Sequence, residues 1–172
     1  MIELLRERRS IRKYSARLIE PEKIEILKEA VLRSPSSKGI NPWQFIFVDQ
    51  KETIKKLKDC KPHGAAPLST ATLAVVMCAD ETVNDAWIED CSIASILLQL
   101  TAQSIGLGSC WIHIRNRKYS ETKTSENYIR ELLEIPDYFK VLSIISIGYS
   151  DQQREGKAYE DLQFEKIKFN KF

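Results

Sequence analysis

Apolar residues recur at helical spacing in five parts of the chain. A short helix over residues 2–8 is followed by a second that starts near Pro21, a residue suited to the first turn of a helix. A surface helix is predicted over 51–59, and another short helix around 128–133. The longest helix is predicted from about Asn84 to Ile105, where apolar residues occupy one wide face.

Four short runs rich in β-branched and aromatic residues predict strands between these helices. They comprise residues 44–48, Thr72–Ala79, Ser109–Ile114 and Val141–Ile147. Because helices and strands alternate, the pattern alone favours a doubly wound parallel sheet. No Gly-rich loop of the dinucleotide-binding or Walker type follows any of these strands. A phosphate ligand would therefore have to be held in another way.

Composition is that of a globular protein with one domain over residues 1–172. The chain is 43% hydrophobic, which is enough to form a substantial core. Its net charge of +2 is too close to balance to indicate nucleic-acid binding, and no apolar run is long enough to cross a bilayer. The first residues lack the basic start and long apolar stretch of a signal peptide, so we expect a cytoplasmic protein.

Cysteines and histidines are too few and too scattered to predict a metal site. The four cysteines form no C-x-x-C pair, and three lie in apolar segments where a reduced, buried thiol is expected. Only two histidines are present. The C-terminal tail, residues 151–172, ends in a series of apolar residues unlike a solvated terminus. We therefore expect the tail to cover a partner subunit.

The run Arg8-Arg9-Ser10-Ile11-Arg12 is the first candidate for a binding site. In an extended segment Arg8, Ser10 and Arg12 point to one side, because side chains alternate along such a segment. Two guanidinium groups and a hydroxyl on that side could hold a phosphate in bidentate geometry. The alternative is a basic, solvated helix end.

Two further segments place polar groups beside predicted strands. The loop from Ser34 to Trp43 crowds hydroxyl, amide and lysine groups between a helix and a strand. Ordinary turn chemistry is the alternative explanation of that loop. In Gly106–His113 the glycines would permit close backbone approach to a flat ligand. The alternative there is a helix that ends at Gly106 in a left-handed conformation, followed by a core strand.

Taken in this order, the three segments resemble the FMN-dependent nitroreductase family. The matching signs are R-R-S-x-R, P-S-S-x-x-x-N-P-W, an acidic residue at Asp90 where the long helix opens, G-L-G-S-C-W, and I-G-Y at residues 147–149. The resemblance covers nearly the whole chain. It implies an α+β fold whose central, mixed and mostly antiparallel sheet is flanked by helices, in place of the parallel sheet. It also implies an intertwined homodimer with two FMN sites in its interface.

The resemblance also assigns roles to individual residues. One subunit would hold the FMN phosphate and ribityl chain through Arg8, Arg9, Ser10 and Arg12. The other subunit would reach the flavin through Pro35, Ser36, Ser37 and Lys38. Further contacts with the cofactor are expected from Asn41, Trp111, Ile112 and His113 and, near the phosphate, from Lys157. The tail would wrap around the partner.

The chain departs from the family pattern at several points. Gly39 and Asn41 stand where many members carry Asn and Gln, which could change hydrogen bonding to the flavin ring. His113 lies close to where some members place an acidic or small residue, and a packed strand histidine is the alternative to a functional one. The stretches 60–70 and 114–127, which hold lids in longer relatives, are short here. We therefore expect an open or shallow substrate pocket.

The implied reaction needs no catalytic side chain, because the flavin carries the chemistry. NADH or NADPH would pass a hydride to flavin N5 and leave, and a nitroaromatic, quinone or similar small acceptor would then bind in its place. Lys38 is the candidate cation beside the N1–O2 edge, although it could be an ordinary surface lysine. Two other functions fit the same residues: an FMN carrier or storage protein without efficient turnover, and a non-flavin scaffold.

Overall fold

The computed structural model describes all 172 residues, and its centre is a four-stranded sheet. The strands lie in the order β1-β2-β4-β3, and every neighbouring pair is antiparallel. Their bounds are Trp43–Val48 (β1), Leu73–Asp80 (β2), Gly108–His113 (β3) and Phe139–Gly148 (β4). One isolated parallel bridge, between Ser10 and Ser109, joins the N-terminal segment to β3.

This topology corrects the doubly wound parallel sheet that the alternation of elements favours. The long helix does connect two strands of the same direction, because β2 and β3 each run antiparallel to β4. However, β4 lies between them, so no two parallel strands are neighbours. The α+β fold and the mostly antiparallel sheet implied by the family resemblance are confirmed.

Helices cover both faces of the sheet. The helix bounds are Ile2–Glu7 (α1), Pro21–Leu32 (α2), Lys51–Lys58 (α3), Trp87–Ser104 (α4) and Ser125–Leu133 (α5). Side chains of α2 and α4 form one apolar cluster with one face of the sheet, and side chains of α3 and α5 form another with the opposite face. None of the helices combines the length and the hydropathy that crossing a membrane requires.

Strand β2 lies inside this sandwich and has seven buried residues in succession, which explains its unbroken apolar sequence. All four cysteines are free and buried, which confirms the prediction for the three in apolar segments and extends burial to Cys60. Burial raises the pKa of the Cys78 and Cys91 thiols to about 12. These thiols therefore act as small apolar core residues.

The N-terminal segment after α1 is fixed in an extended conformation along β3. The Ile11 N–H donates to the Ser109 carbonyl at 2.9 Å, and the buried Tyr14 hydroxyl donates to the Ile11 carbonyl at 2.6 Å. A Cβ on Gly108 would lie 2.8 Å from the Ile11 side chain, so this close approach requires glycine. Residues 8–12 thus lie beside the free edge of β3.

The tail leaves the body of the chain. Its apolar side chains are exposed, and Phe169 retains 85% of its accessible surface. The exposed set comprises Tyr159, Leu162, Phe164, Ile167, Phe169 and Phe172. That the tail wraps a partner stays a prediction, which these exposures motivate because large apolar groups are rarely left in water together.

Candidate active site

The extended segment at residues 8–12 places a hydroxyl and two guanidinium groups around one point of β3. Burial raises the pKa of the Cys110 thiol, whereas the charge of Arg12, a hydrogen bond with Ser10 and the charge of Arg8 oppose the rise. Arg9 and Ile11 line one cleft together, so alternation places Arg8, Ser10 and Arg12 on the opposite side of the extended segment. Neither Arg8 nor Arg12 forms an ion pair with a carboxylate.

Arg9 points away from this group. Its guanidinium donates to the Glu155 carbonyl at 3.1 Å and lines a separate cleft of about 250 Å³ with Gln103 and Gly106. The side chain of Arg9 thus links the segment to the start of the tail. Lys157 is exposed two residues beyond Glu155, and the backbone of the intervening Gly156 lies against the Arg6 carbonyl.

Strand β3 supplies the next part of the site, and its alternate residues face opposite layers. The rings of Trp111 and His113 stack on the α4 side, with centroids 6.5 Å apart. The Ile112 side chain is only 1% exposed and belongs to the cluster with α3 and α5. A ligand beside β3 could therefore contact Ile112 through its backbone alone.

Lys61 is a residue that the sequence did not reveal. Its ammonium group donates to the His113 carbonyl at 2.7 Å, and burial together with the charge of Arg117 lowers the pKa of Lys61. Burial also lowers the pKa of His113, as do the charges of Arg117 and Lys61. Lys61 follows a lysine-rich surface helix, and only the contact with β3 distinguishes it from those lysines.

The loop at residues 34–42 forms a second polar group of residues. The Ser36 hydroxyl accepts from the Asn41 N–H at 2.8 Å, and the Ser37 N–H donates to the Asp90 carboxylate at 2.8 Å. Lys38 and Asn41 both adopt left-handed backbone conformations, with φ of 55° and 53°. Such conformations cost energy in residues other than glycine, and residues that carry this strain are enriched at functional sites.

Asp90 is the anchor of this loop. It is 2% exposed and lies in the first turn of α4, where it also accepts from the Asn84 side-chain amide at 2.6 Å. Pro35 precedes the serines that the carboxylate and Asn41 fix in place. Asp90 is one of the positions at which the sequence matches the family, and the structure shows that its carboxylate holds the backbone of the loop.

These two groups of residues lie at diagonally opposite corners of the sheet. Both corners can be located along β4. Trp43, which ends the loop, pairs with Ala79 of β2, which in turn pairs with Lys140 of β4, whereas Ser109 pairs with Ile147 of β4. Seven residues of β4 and three strand spacings therefore separate the corners, or roughly 28 Å at standard strand dimensions. A single mononucleotide could not contact both corners of one chain.

The nitroreductase family model matches residues 5–75 and 68–149. The chain belongs to the nitroreductase family. The family prediction made from the motifs, and with it the prediction of a nitroreductase-like oxidoreductase, is confirmed.

Relatives of nearly the same length carry this fold. The structure superposes on an FMN-dependent nitroreductase from Clostridium difficile R20291 with a TM-score of 0.98, 47% identity and full coverage of both chains. A protein from Archaeoglobus fulgidus, provisionally called an NADH dehydrogenase/NAD(P)H nitroreductase, is 35% identical over 93% of this chain and 91% of its own. A similarly named protein from Parabacteroides distasonis superposes with a TM-score of 0.89 at 32% identity, over 99% of this chain and 98% of that one.

Proposed function

We propose that this nitroreductase family member is an FMN-dependent oxidoreductase that transfers a hydride from NADH or NADPH to a nitroaromatic, quinone or similar small acceptor by a ping-pong mechanism. The observation that carries the proposal is the set of cations along β3: the bridge between Ser10 and Ser109 holds the segment with Arg8 and Arg12 at one end, and Lys61 bonds to His113 at the other. Bound FMN would supply the redox chemistry, and the protein would bind it, orient it and exclude water.

The residues at the start of this set suit a phosphate monoester. Arg8 and Arg12 have no carboxylate partner, and Ser10 adds a hydroxyl on the same side. Guanidinium groups match phosphate oxygens in bidentate geometry, which supports these three residues as the site of the FMN phosphate. We propose that Lys157 adds a further charge and that Arg9 contributes through its backbone, because its side chain is directed to Glu155.

The other end of the set suits a flavin ring. Lys61 would place a positive charge beside the edge of the ring where the reduced form gathers negative charge. The backbone of Trp111, Ile112 and His113 would lie against the ring, with the His113 imidazole nearby. A second subunit would supply the residues that reach the same ring, because roughly 28 Å separates them from the phosphate corner of their own chain. These residues are Pro35, Ser36, Ser37, Lys38 and Asn41.

A homodimer with an exchanged tail would complete this arrangement. Strand β1 pairs only with β2, so its outer edge is free, and a groove of about 430 Å³ beside it is lined by Val31, Phe45 and Phe47. Trp43 in this groove is 7% exposed and its indole N–H has no acceptor. The partner's tail alternates apolar and polar residues from Ile167 to Phe169, a pattern suited to adding a strand at a free edge.

The proposal is tested by purifying the protein and following its absorbance. We expect a yellow preparation with a flavin spectrum that bleaches on anaerobic addition of NADH or NADPH and recovers on addition of a quinone. A colourless protein that does not bind added FMN would support the scaffold function instead. A flavin that stays oxidised with both NADH and NADPH would support an FMN carrier instead. The feature of the chain that favours a carrier is Gly39, which departs from the family pattern.

Lys61 provides a more local prediction. Lys61→Met should lower the midpoint potential of bound FMN, because the variant loses the charge that stabilises the reduced, anionic ring. Potentials are measured by anaerobic titration against reference dyes. Lys58→Met, which removes an exposed lysine paired with Asp59, is the matched control. An unchanged potential in Lys61→Met together with a lowered one in Lys38→Met would assign the role to Lys38.

A further inference from the structure

A second polar cleft opens where β3 ends. It has a volume of about 260 Å³, and Arg115, Asn116 and Arg117 form one wall. The opposite wall carries Lys140 and Glu126. The nitroreductase motifs in the sequence do not include any of these residues.

The charges in this cleft leave the two arginines without partners. Lys140 lies 3.3 Å from the Glu81 carboxylate and 3.9 Å from that of Glu126. Glu126 also accepts from the Val141 N–H at 3.1 Å through its other oxygen. Both carboxylates are thus occupied by Lys140 and the backbone, whereas Arg115 and Arg117 form no ion pair. Two unpaired guanidinium groups in one cleft favour an anionic ligand.

The backbone that carries the arginines is held at both ends. The Arg117 N–H donates to the Ile114 carbonyl at 3.0 Å, which closes a turn with Asn116 in a left-handed conformation. The Ser125 N–H donates to the Arg117 carbonyl at 2.9 Å, and the Arg115 N–H donates to the Leu142 carbonyl at 3.1 Å. A fixed turn lowers the entropic cost of binding through these side chains.

The cleft continues the set of cations at the proposed flavin site. Strand β3 ends at His113, whose carbonyl accepts from Lys61 at 2.7 Å, and Arg115 and Arg117 follow His113 closely along the chain. Both arginines therefore lie just beyond the end of β3 at which the flavin ring is proposed to bind. A reactant stacked on that ring and extending past it would bring its outer groups to the turn.

We propose that Arg115 and Arg117 bind an anionic group of the reactant that stacks on the flavin, and thereby select reactants that carry a terminal phosphate or carboxylate over analogues that lack it. The inference rests on the proposed function, because the reactant is placed by the flavin. The same chemistry fits two sources, the 2′-phosphate of NADPH and a carboxylate on the electron acceptor. Guanidinium recognises both groups in the same bidentate manner.

Steady-state kinetics with the FMN-loaded protein distinguish the two sources. Arg115→Gln, Arg117→Gln and the double variant are compared with Lys55→Gln, an exposed lysine paired with Glu52. The donor arm measures kcat/KM for NADPH and NADH with a neutral quinone. The acceptor arm uses NADH with 4-nitrobenzoate and nitrobenzene. In one arm the double variant should lose at least about tenfold in the ratio of kcat/KM for NADPH to NADH, or for 4-nitrobenzoate to nitrobenzene, the effect of one charge-assisted hydrogen bond.

Binding of the anionic group can also be measured without turnover. Calorimetric titration of the same holoproteins with adenosine 2′,5′-bisphosphate against AMP, and with 4-nitrobenzoate against nitrobenzene, should show the same loss of preference. Unchanged ratios in both arms and both titrations, with NADH still bleaching the flavin, would overturn the anion site and leave the proposed function intact. A flavin that neither nicotinamide bleaches would contradict the proposed function, and the titrations would then decide on the anion site alone.

Discussion

Replacing Arg8 and Arg12 together by alanine should give a folded dimer that no longer retains FMN. Each guanidinium is expected to form a charge-assisted hydrogen bond with the phosphate, worth roughly 1.5–3 kcal/mol. Loss of both should raise the dissociation constant on the order of a hundredfold to ten-thousandfold. Arg12→Ala alone should raise the dissociation constant for FMN less than the double variant does. The measurement is fluorescence titration of the apoprotein with FMN.

The side chains concerned have no role in the core, so the variant separates binding from folding. Neither arginine has a carboxylate partner, and circular dichroism should show an unchanged thermal transition of the apoprotein. Arg33→Ala, which removes an exposed arginine paired with Glu29, is the matched control and should bind FMN normally. FMN affinity within twofold of wild type in the double variant would mean that the phosphate lies elsewhere.

Ending the chain after Asp161 should convert the protein into a monomer with little affinity for FMN. The deletion removes only exposed residues, among them Phe164 and Phe169, so the remaining chain keeps its complete core. It also removes the segment proposed to cover the apolar groove beside β1. Light scattering coupled to size-exclusion chromatography gives the mass, and flavin absorbance gives the occupancy.

A matched variant tests whether the apolar side chains are responsible. Replacing Lys166, Lys168 and Lys171 by serine keeps the length and apolar residues of the tail, and this variant should remain a dimer with bound FMN. A truncated chain that is still dimeric and yellow would show that the tail does not hold the partner.

Local periodicity was sufficient to predict most elements of the fold. The apolar face of α4 and the buried run of β2 are strong signals, because one element must bury a wide face and the other both of its sides. The helix nevertheless begins at Trp87 rather than near Asn84, whose side chain accepts from the Ala86 N–H and bonds to Asp90. The order of the strands in the sheet could not be predicted, because the alternation of helices and strands along the chain does not encode that β4 lies between β2 and β3.

In the candidate site, too, the sequence predicts what local geometry determines and not what contacts between distant segments determine. Alternation puts Arg8, Ser10 and Arg12 on the side of the segment away from Arg9 and Ile11, which line one cleft, because that property depends only on local backbone geometry. Lys61 could not be found, since its contact with His113 depends on how a distant loop meets an edge strand. Alternation along β3 also implies that Ile112 and His113 face opposite layers, and the apolar cluster under α3 and α5 decides which layer receives each.

The diagonal placement of the two polar corners has a genetic consequence. If each site combines one corner from each subunit, a lesion in the loop at residues 34–42 harms the site built on the neighbour's arginines. Two inactive alleles, one damaged at Arg12 and one at Ser37, would then complement each other. In their mixed dimer both lesions would fall in the same site, and the other site would be intact.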